Sequence, residues 1–167
     1  QIEVDLVRKD GQRIPFYFNG EPIIYEGEPC VMGIGLDLSE QMQAQQEIIE
    51  RENRYRELIE QASDAIIISN ADGNYVEVNS SACRLLGYSK QELLSMKASS
   101  LMPSPDAEFN LKRRLETLKT SADSVIGEFL LRRKDGVIVQ VETHSKMLPD
   151  GRFIAFIRDL SERKKVD

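Results

Sequence analysis

Very few side chains in this sequence suit covalent or metal chemistry. It has two cysteines, Cys30 and Cys83, one histidine, His144, and no tryptophan. A structural zinc site takes four Cys or His ligands, so three such residues scattered along the chain exclude one. Cys83 stands in the run Ala82-Cys83-Arg84-Leu85-Leu86. With no base beside it to generate a thiolate, it is expected to be a small buried apolar residue. Cys30 has no evident partner, and a chain of 167 residues needs no disulfide framework to build a core. His144 lies in a run of alternating polarity. If Val141, Thr143 and Ser145 face a core, Glu142 and His144 face the other side, which makes His144 a surface or interface residue rather than a ligand. No phosphoacceptor histidine motif, glycine-rich nucleotide loop or metal-binding carboxylate cluster is present, so catalysis is not expected here. Two aspartates stand out instead. Asp37 and Asp159 each open the sequence Asp-Leu-Ser-Glu, where an apolar strand-like run gives way to a polar helix-like one. An aspartate so placed can cap the first N–H groups of the helix it precedes.

Composition bounds what these residues serve. Apolar residues are 41% and charged residues 30% of the chain, inside the range of folded globular domains. The net charge of −6 argues against nucleic acid or an anionic membrane as a partner. No apolar run approaches the roughly 20 residues that a membrane helix requires. Gln1 is not an initiator Met and no signal-peptide pattern follows it, so the sequence reads as a piece of a longer cytoplasmic protein.

The elements that position the two aspartates repeat. Leu6-Val7-Arg8-Lys9-Asp10-Gly11 recurs as Leu131-Arg132-Arg133-Lys134-Asp135-Gly136, and Asp37-Leu38-Ser39-Glu40 recurs as Asp159-Leu160-Ser161-Glu162. Between the paired signatures lie an apolar run, a turn and a second apolar run. In the first copy these are Ile14 to Phe18, a loop from Gly20 to Pro29, and Val31 to Leu36. In the second copy they are Val137 to Thr143, a turn at Leu148 to Gly151, and Phe153 to Ile157. Asp-Gly pairs at 10–11, 72–73, 135–136 and 150–151 suit tight turns between strands. Strands are expected at Ala65 to Ser69, Tyr75 to Asn79, Val125 to Arg132, Val137 to Ser145 and Arg152 to Arg158. Between the second and third of these lie helical patterns: Ser80 to Leu86 ending at Gly87, Ser89 to Met96 with a capping-box spacing to Glu92, and Asp106 to Lys119. This order predicts an α+β layout, a five-stranded antiparallel sheet with short helices grouped on one side. Residues 39–61 form a long Glu/Gln/Arg-rich helix. Met42 and Ile49, and Ile48, Tyr55 and Ala62, stand seven apart, whereas Gln45, Glu52 and Arg56 break the seam, leaving a solvated connector or a dimeric coiled coil.

These pieces in this order resemble the PAS domain. The match is carried by Tyr55-Arg56-Glu57-Leu58-Ile59-Glu60-Gln61-Ala62, Asp64-Ala65-Ile66, Asp72-Gly73, Val78-Asn79, Ala82-Cys83 and Leu86 through Leu93. Arg133-Lys134-Asp135-Gly136 through Arg158-Asp159-Leu160-Ser161-Glu162-Arg163-Lys164 closes it. The resemblance implies a PAS (profilin-like) fold with this organisation: residues 1–38 the C-terminal (PAC) half of a preceding PAS domain; 39–61 a linker or signalling helix; 62–160 a PAS sensor domain; 161–167 the start of an exit helix. Because the strands of the first copy lack partner strands of their own, residues 4–36 are expected to pair as a hairpin that docks on the second unit's sheet or on another chain. The resemblance also implies a signal-relay module that detects a small ligand or partner and acts through its flanking helices on an effector, a histidine kinase in the same parent chain, with homodimers formed through helix and sheet surfaces. Asp159 and Asp37 would be the relay joints, tying helix to sheet by a cap or a salt bridge, with Arg133 or Lys134 a candidate partner of Asp159.

The family's cofactor chemistries find no purchase. Lys97 to Met102, where a LOV photosensor carries its reactive cysteine, has none, and Asp106 to Lys119 lacks the axial histidine of a haem sensor. No cofactor is expected, and an unidentified small ligand remains. Its cavity would be lined by Ile66 and Ile68 of the first strand, Val78 of the second and Leu86 of the first short helix. Met96, Leu101, Met102 and Phe109 would follow, then Phe129, Leu131, Val141, Thr143 and Ala155 of the last three strands. The alternatives are a solid core in a pure dimerisation module of a cyclic-di-GMP enzyme or transcription regulator, and a flavin- or haem-bearing redox or light sensor.

Overall fold

The computed structural model describes residues 2–120 and 123–161. The chain divides into two units, Gln1–Tyr55 and Arg56–Asp167.

The first unit is an antiparallel sheet of β1 (Ile2–Val7), β2 (Arg13–Tyr25) and β3 (Glu28–Asp37) in the order β1-β2-β3. At its first turn Gly11 takes a left-handed φ of 86° while the Asp10 carboxylate accepts from the Gln12 N–H at 2.9 Å. The expected loop from Gly20 to Pro29 is instead a continuation of the hairpin. Glu26 and Gly27, with φ of 50° and 86°, make the tight turn, so the ladder runs on to Tyr25↔Glu28. Pro22 is tolerated because β2 beyond Phe18 has a neighbour on one side only. The helix α1 (Ser39–Gln61) follows, and none of its side chains is buried.

The second unit has the strand order β5-β4-β8-β7-β6. Its strands are β4 (Ala65–Ser69), β5 (Tyr75–Val78), β6 (Val125–Arg132), β7 (Ile138–Met147) and β8 (Phe153–Asp159), all paired antiparallel. Between β5 and β6 come α2 (Ser80–Leu86), α3 (Lys90–Leu94), a 3-10 turn (Ala98–Leu101) and α4 (Pro105–Thr120). Local chemistry sets these boundaries. Asn79 caps α2, whose end is closed by Gly87 at φ 79°, and Ser89 with Glu92 forms a capping box on α3. The helices pack on one face of the sheet, and Ile67, Val78, Ala82, Leu86, Leu93, Leu101, Leu131 and Val141 make its core. The exit helix expected from 161 lies, beyond Ser161, outside the described residues.

Register decides which side chains face the helices. Val125, Gly127, Phe129 and Leu131 of β6 alternate inward, opposite Ser145, Thr143, Val141 and Val139 of β7. Thr143 and Ser145 then meet Ile157 and Ala155 of β8, and Ala155 meets Ile67 of β4. Ile66 and Ile68 therefore lie on the opposite face of β4. All five β4 residues are buried, so polarity gave no alternation from which to read that parity.

Candidate functional site

A cavity of about 90 Å³ lies between the inner face of the sheet and α4. Ile67, Ser69 and Tyr75 line it from β4 and β5, Ala98 and Met102 from the 3-10 turn and its end, and Leu111, Arg114, Leu115 and Leu118 from α4. Phe129, Leu131, Thr143, Ser145, Phe153, Ile154, Ala155 and Ile157 complete the wall. Of the residues the sequence suggested, Met102, Phe129, Leu131, Thr143 and Ala155 meet here. Val78, Leu86, Leu101 and Val141 are packed into the solid core instead, with Met96 against its margin. Ile66 and Ile68 are excluded by parity. Phe109 is 61% exposed, because it sits two residues and some 200° around the helix from Leu111. The inward stripe of α4 is Leu111, Arg114/Leu115 and Leu118. That i, i+3, i+4, i+7 spacing was the signal by which Arg114 could have been found.

The polar groups of the wall are few. The Thr143 hydroxyl donates to the Gly127 carbonyl at 3.2 Å. The Arg114 guanidinium sits 4.8 Å from the centroid of the Phe129 ring, and burial lowers its affinity for a proton. Burial also pushes the Tyr75 hydroxyl well above the ordinary tyrosine range.

A second cluster fastens the end of α1 to the sheet. Asn79 is fully buried and uses every hydrogen-bonding position of its amide. Its Oδ1 accepts from the Ile66 and Ala82 N–H groups, each at 2.9 Å. Its Nδ2 donates to the carbonyls of Ile59 at 2.9 Å and Asp64 at 3.1 Å. One side chain thus joins the last turn of α1, the loop after it, β4 and α2. Beside it the Glu60 carboxylate accepts from the Ser80 N–H at 2.8 Å, the Ser80 hydroxyl at 2.7 Å and Lys90 Nζ at 2.9 Å. The Ser80 hydroxyl first, and then Lys90, hold the Glu60 pKa down to about 2. The Ser81 hydroxyl donates to the Ala62 carbonyl at 2.6 Å. Its place between a strand and a helical pattern in the sequence accounts for the cap on α2; its reach back to Ile59 and Asp64 depends on a tertiary approach that sequence does not display.

The two relay aspartates have the same local geometry. Asp37 Oδ1 accepts from the Ser39 N–H at 2.8 Å and Asp159 Oδ1 from the Ser161 N–H at 2.7 Å. The contact to Ser39 lowers the Asp37 pKa. Asp159 does not pair with Arg133 or Lys134. Register sets it opposite Val141 across β7, whereas those cations lie at the β6–β7 turn. There Arg133 approaches Asp135 at 3.9 Å and Lys134 bonds Glu92 at 2.6 Å. His144 lies on the outer face of the sheet, 3.6 Å from Glu142. Cys83 is half-buried with its thiol pKa raised by burial, and Cys30 is exposed. Among the described residues no group of three His, Cys, Asp or Glu side chains is placed to hold a metal. No helix among them is long and apolar enough to cross a membrane.

Comparison with known proteins bears on this arrangement. A family model described as PAS fold matches residues 53–160. A methyl sulfide methyltransferase-associated sensor of Methanosarcina acetivorans is 30% identical over 132 residues, 77% of this chain and 13% of that protein. Sporulation kinase E of Bacillus subtilis is 26% identical over 137 residues, 81% of this chain and 18% of that protein. The chain thus spans less than a fifth of the length of these two relatives. Among solved structures, the PAS domain of an HTR-like protein from Haloarcula marismortui superposes with a TM-score of 0.63 at 28% identity, covering 71% of this chain and 98% of that one.

Proposed function

The chain belongs to the PAS family and is a sensory signal-transduction module, and from that premise we propose that residues 62–160 bind a small ligand in the interior cavity and pass the change to an effector through the flanking helices. The observation that carries this reading is the cavity itself, a space between the sheet and α4 walled mainly by apolar side chains with Ser69, Thr143 and Ser145 among them. At about 90 Å³ it suits a ligand of a few heavy atoms and falls well below the roughly 300 Å³ at which drug-sized sites begin, so a flavin or haem is disfavoured. The fragment is a relay and not an enzyme. The effector is a histidine kinase in the parent protein, a reading supported by the relatives' kinase and sensor names.

Signal leaves by two routes. Asn79 and Glu60 couple the sheet to α1, and Asp159, whose carboxylate accepts from the Ser161 N–H, couples β8 to the chain that follows. Asp37 repeats that joint between β3 and α1. Residues 1–38 are the trailing PAC half of a preceding PAS unit. The parent protein acts in the cytoplasm as a homodimer, with the exposed apolar residues of α1, Met42, Ile48 and Ile49, meeting across the pair.

Kinase autophosphorylation of the parent protein tests this reading. Ala155→Leu fills the cavity and should lock output in one state, cutting its range of response at least fivefold. Asp159→Ala should flatten the response equally while leaving the melting temperature within a few degrees. A full signal-dependent response in both variants defeats the proposal.

A further inference from the structure

Arg114 is the one cation lining the interior cavity, and among the described residues it has no carboxylate partner. Of its five N–H donors, one reaches a protein acceptor, the Thr143 carbonyl, at a marginal 3.5 Å, while Nε is buried with no partner. A guanidinium partly withdrawn from water with so few acceptors is costly to hold, and the Phe129 ring offsets only part of that cost. The fold nevertheless makes room for it. Gly127 occupies an inward position of β6, and a Cβ there would overlap the guanidinium. In the first copy of the repeat the equivalent position, paired with Phe18 as Gly127 is paired with Thr143, is Ile2. The missing side chain is thus specific to the copy that has the cavity. Ser69, Tyr75 and Ser145 line the same space, and their hydroxyls make no hydrogen bond among the described residues.

From this we infer that the cavity takes a short-chain monocarboxylate, its carboxylate forked on Arg114 and its alkyl tail against Leu115, Leu118, Phe153 and Ile157. The inference rests on the reading of the cavity as a ligand site. A guanidinium and a carboxylate match in a planar bidentate pair, which is stronger and more selective when water is excluded. The remaining wall is apolar, as a tail requires, and at about 90 Å³ it accommodates a chain of roughly two to four carbons. Arg114 and Phe129 also line an open groove between α4 and β6, so the guanidinium stands where a solute would pass from solvent to cavity.

Isothermal titration of the purified chain with acetate, butyrate and hexanoate at neutral pH, against butyramide and 1-butanol, decides the matter. At least one carboxylate should bind ten or more times as tightly as butyramide. Arg114→Met should reduce carboxylate affinity to that of the amide and leave the amide unchanged. Gly127→Ala, which displaces the guanidinium without removing it, should weaken carboxylate binding severalfold and stands in should Arg114→Met not fold. Equal binding of amide and carboxylate, or undiminished carboxylate binding by the variant that folds, overturns the carboxylate inference while leaving the cavity as a ligand site. Absence of binding by every acid also overturns it, and the kinase response of Ala155→Leu then decides separately whether the cavity senses anything.

Discussion

The strands β1–β2–β3 and β6–β7–β8 are two copies of one design with opposite interiors. Their registers coincide rung for rung: Phe16↔Asp37 and Phe18↔Gly35 in the first copy answer Val141↔Asp159 and Thr143↔Ile157 in the second. The turns repeat too, with Asp10 and Asp135 each accepting from the N–H two residues on. The inner faces differ. The first copy places Phe16 and Phe18 there, stacked with centroids 5.6 Å apart, and Phe18 lies across Gly35, whose own Cβ would collide with it. The second copy places Thr143, Ser145 and Ala155 at the centre and leaves a cavity. Burial differs as well. Val31 of β3 is 76% exposed, whereas Phe153, which stands on the same rung of β8, is buried. A strand pattern alone does not make a core. The segment β4 through α4 covers the second copy, and Asn79 binds the front of that segment together.

If that cover makes the difference, loosening it should turn the second copy toward the first. Asn79→Ala removes four hydrogen bonds at a fully buried site and leaves the Ile66 N–H and the Asp64 carbonyl to find new partners, while the Ala82 N–H and the Ile59 carbonyl keep backbone bonds of 3.1 and 3.4 Å. A loss of about 3–5 kcal/mol in unfolding free energy is expected, with amide-exchange protection falling across β4 and β8 and unchanged in β1–β3. Retention of native stability would mean that the cover is held by packing alone. A smaller effect sharpens the contrast between interiors. Thr143→Phe imports the ring of Phe18 into the second copy, where overpacking should cost about 1–3 kcal/mol and abolish ligand binding. The reciprocal Phe18→Thr, at a half-buried site, should leave binding in the second unit untouched. Binding that survives Thr143→Phe would place the ligand elsewhere.

Much of this was legible in the sequence, and unevenly so. Asp-Gly turns, the repeated Asp-Leu-Ser-Glu and the capping box at Ser89 each depend on neighbours a few residues away, and they located the strands of the second unit to within one or two residues. The first hairpin was misread because Gly20 and Pro22 suggest a loop, while the turn that matters, Glu26-Gly27, is set by backbone conformation. The cavity was legible only in part. Thr143 and Ala155 follow from alternation in half-buried strands, but β4 is apolar throughout and hides its parity. Arg114 was missed because an arginine on a polar helix ordinarily faces solvent, and only the glycine opposite, 13 residues on, shows that this one does not.

The smallest effect concerns Glu60, where the comparison becomes one of pH. Folding depresses its pKa from 4.5 to about 2, chiefly through the Ser80 hydroxyl and then Lys90. A carboxylate with a depressed folded pKa binds fewer protons folded than unfolded, so its stabilisation is complete above the unfolded value. It declines as pH falls from about 4.5 toward 2 and is absent below. About a third of the side chain is exposed, and solvent screening brings the net contribution to about 1 kcal/mol. Glu60→Gln should therefore be less stable than the native chain by that amount at pH 7, and the two chemical denaturation curves should converge near pH 2. The first unit offers a control on its own chain. Asp37 is also depressed, through Ser39, but it is fully exposed to solvent, and Asp37→Asn should leave the acid unfolding of the second unit where it was. A constant difference between Glu60→Gln and the native chain across the whole pH range would show that the carboxylate acts there by shape rather than by charge. The clamp on α1 would then be uncharged, and Asn79 alone would distinguish the covered copy from the open one.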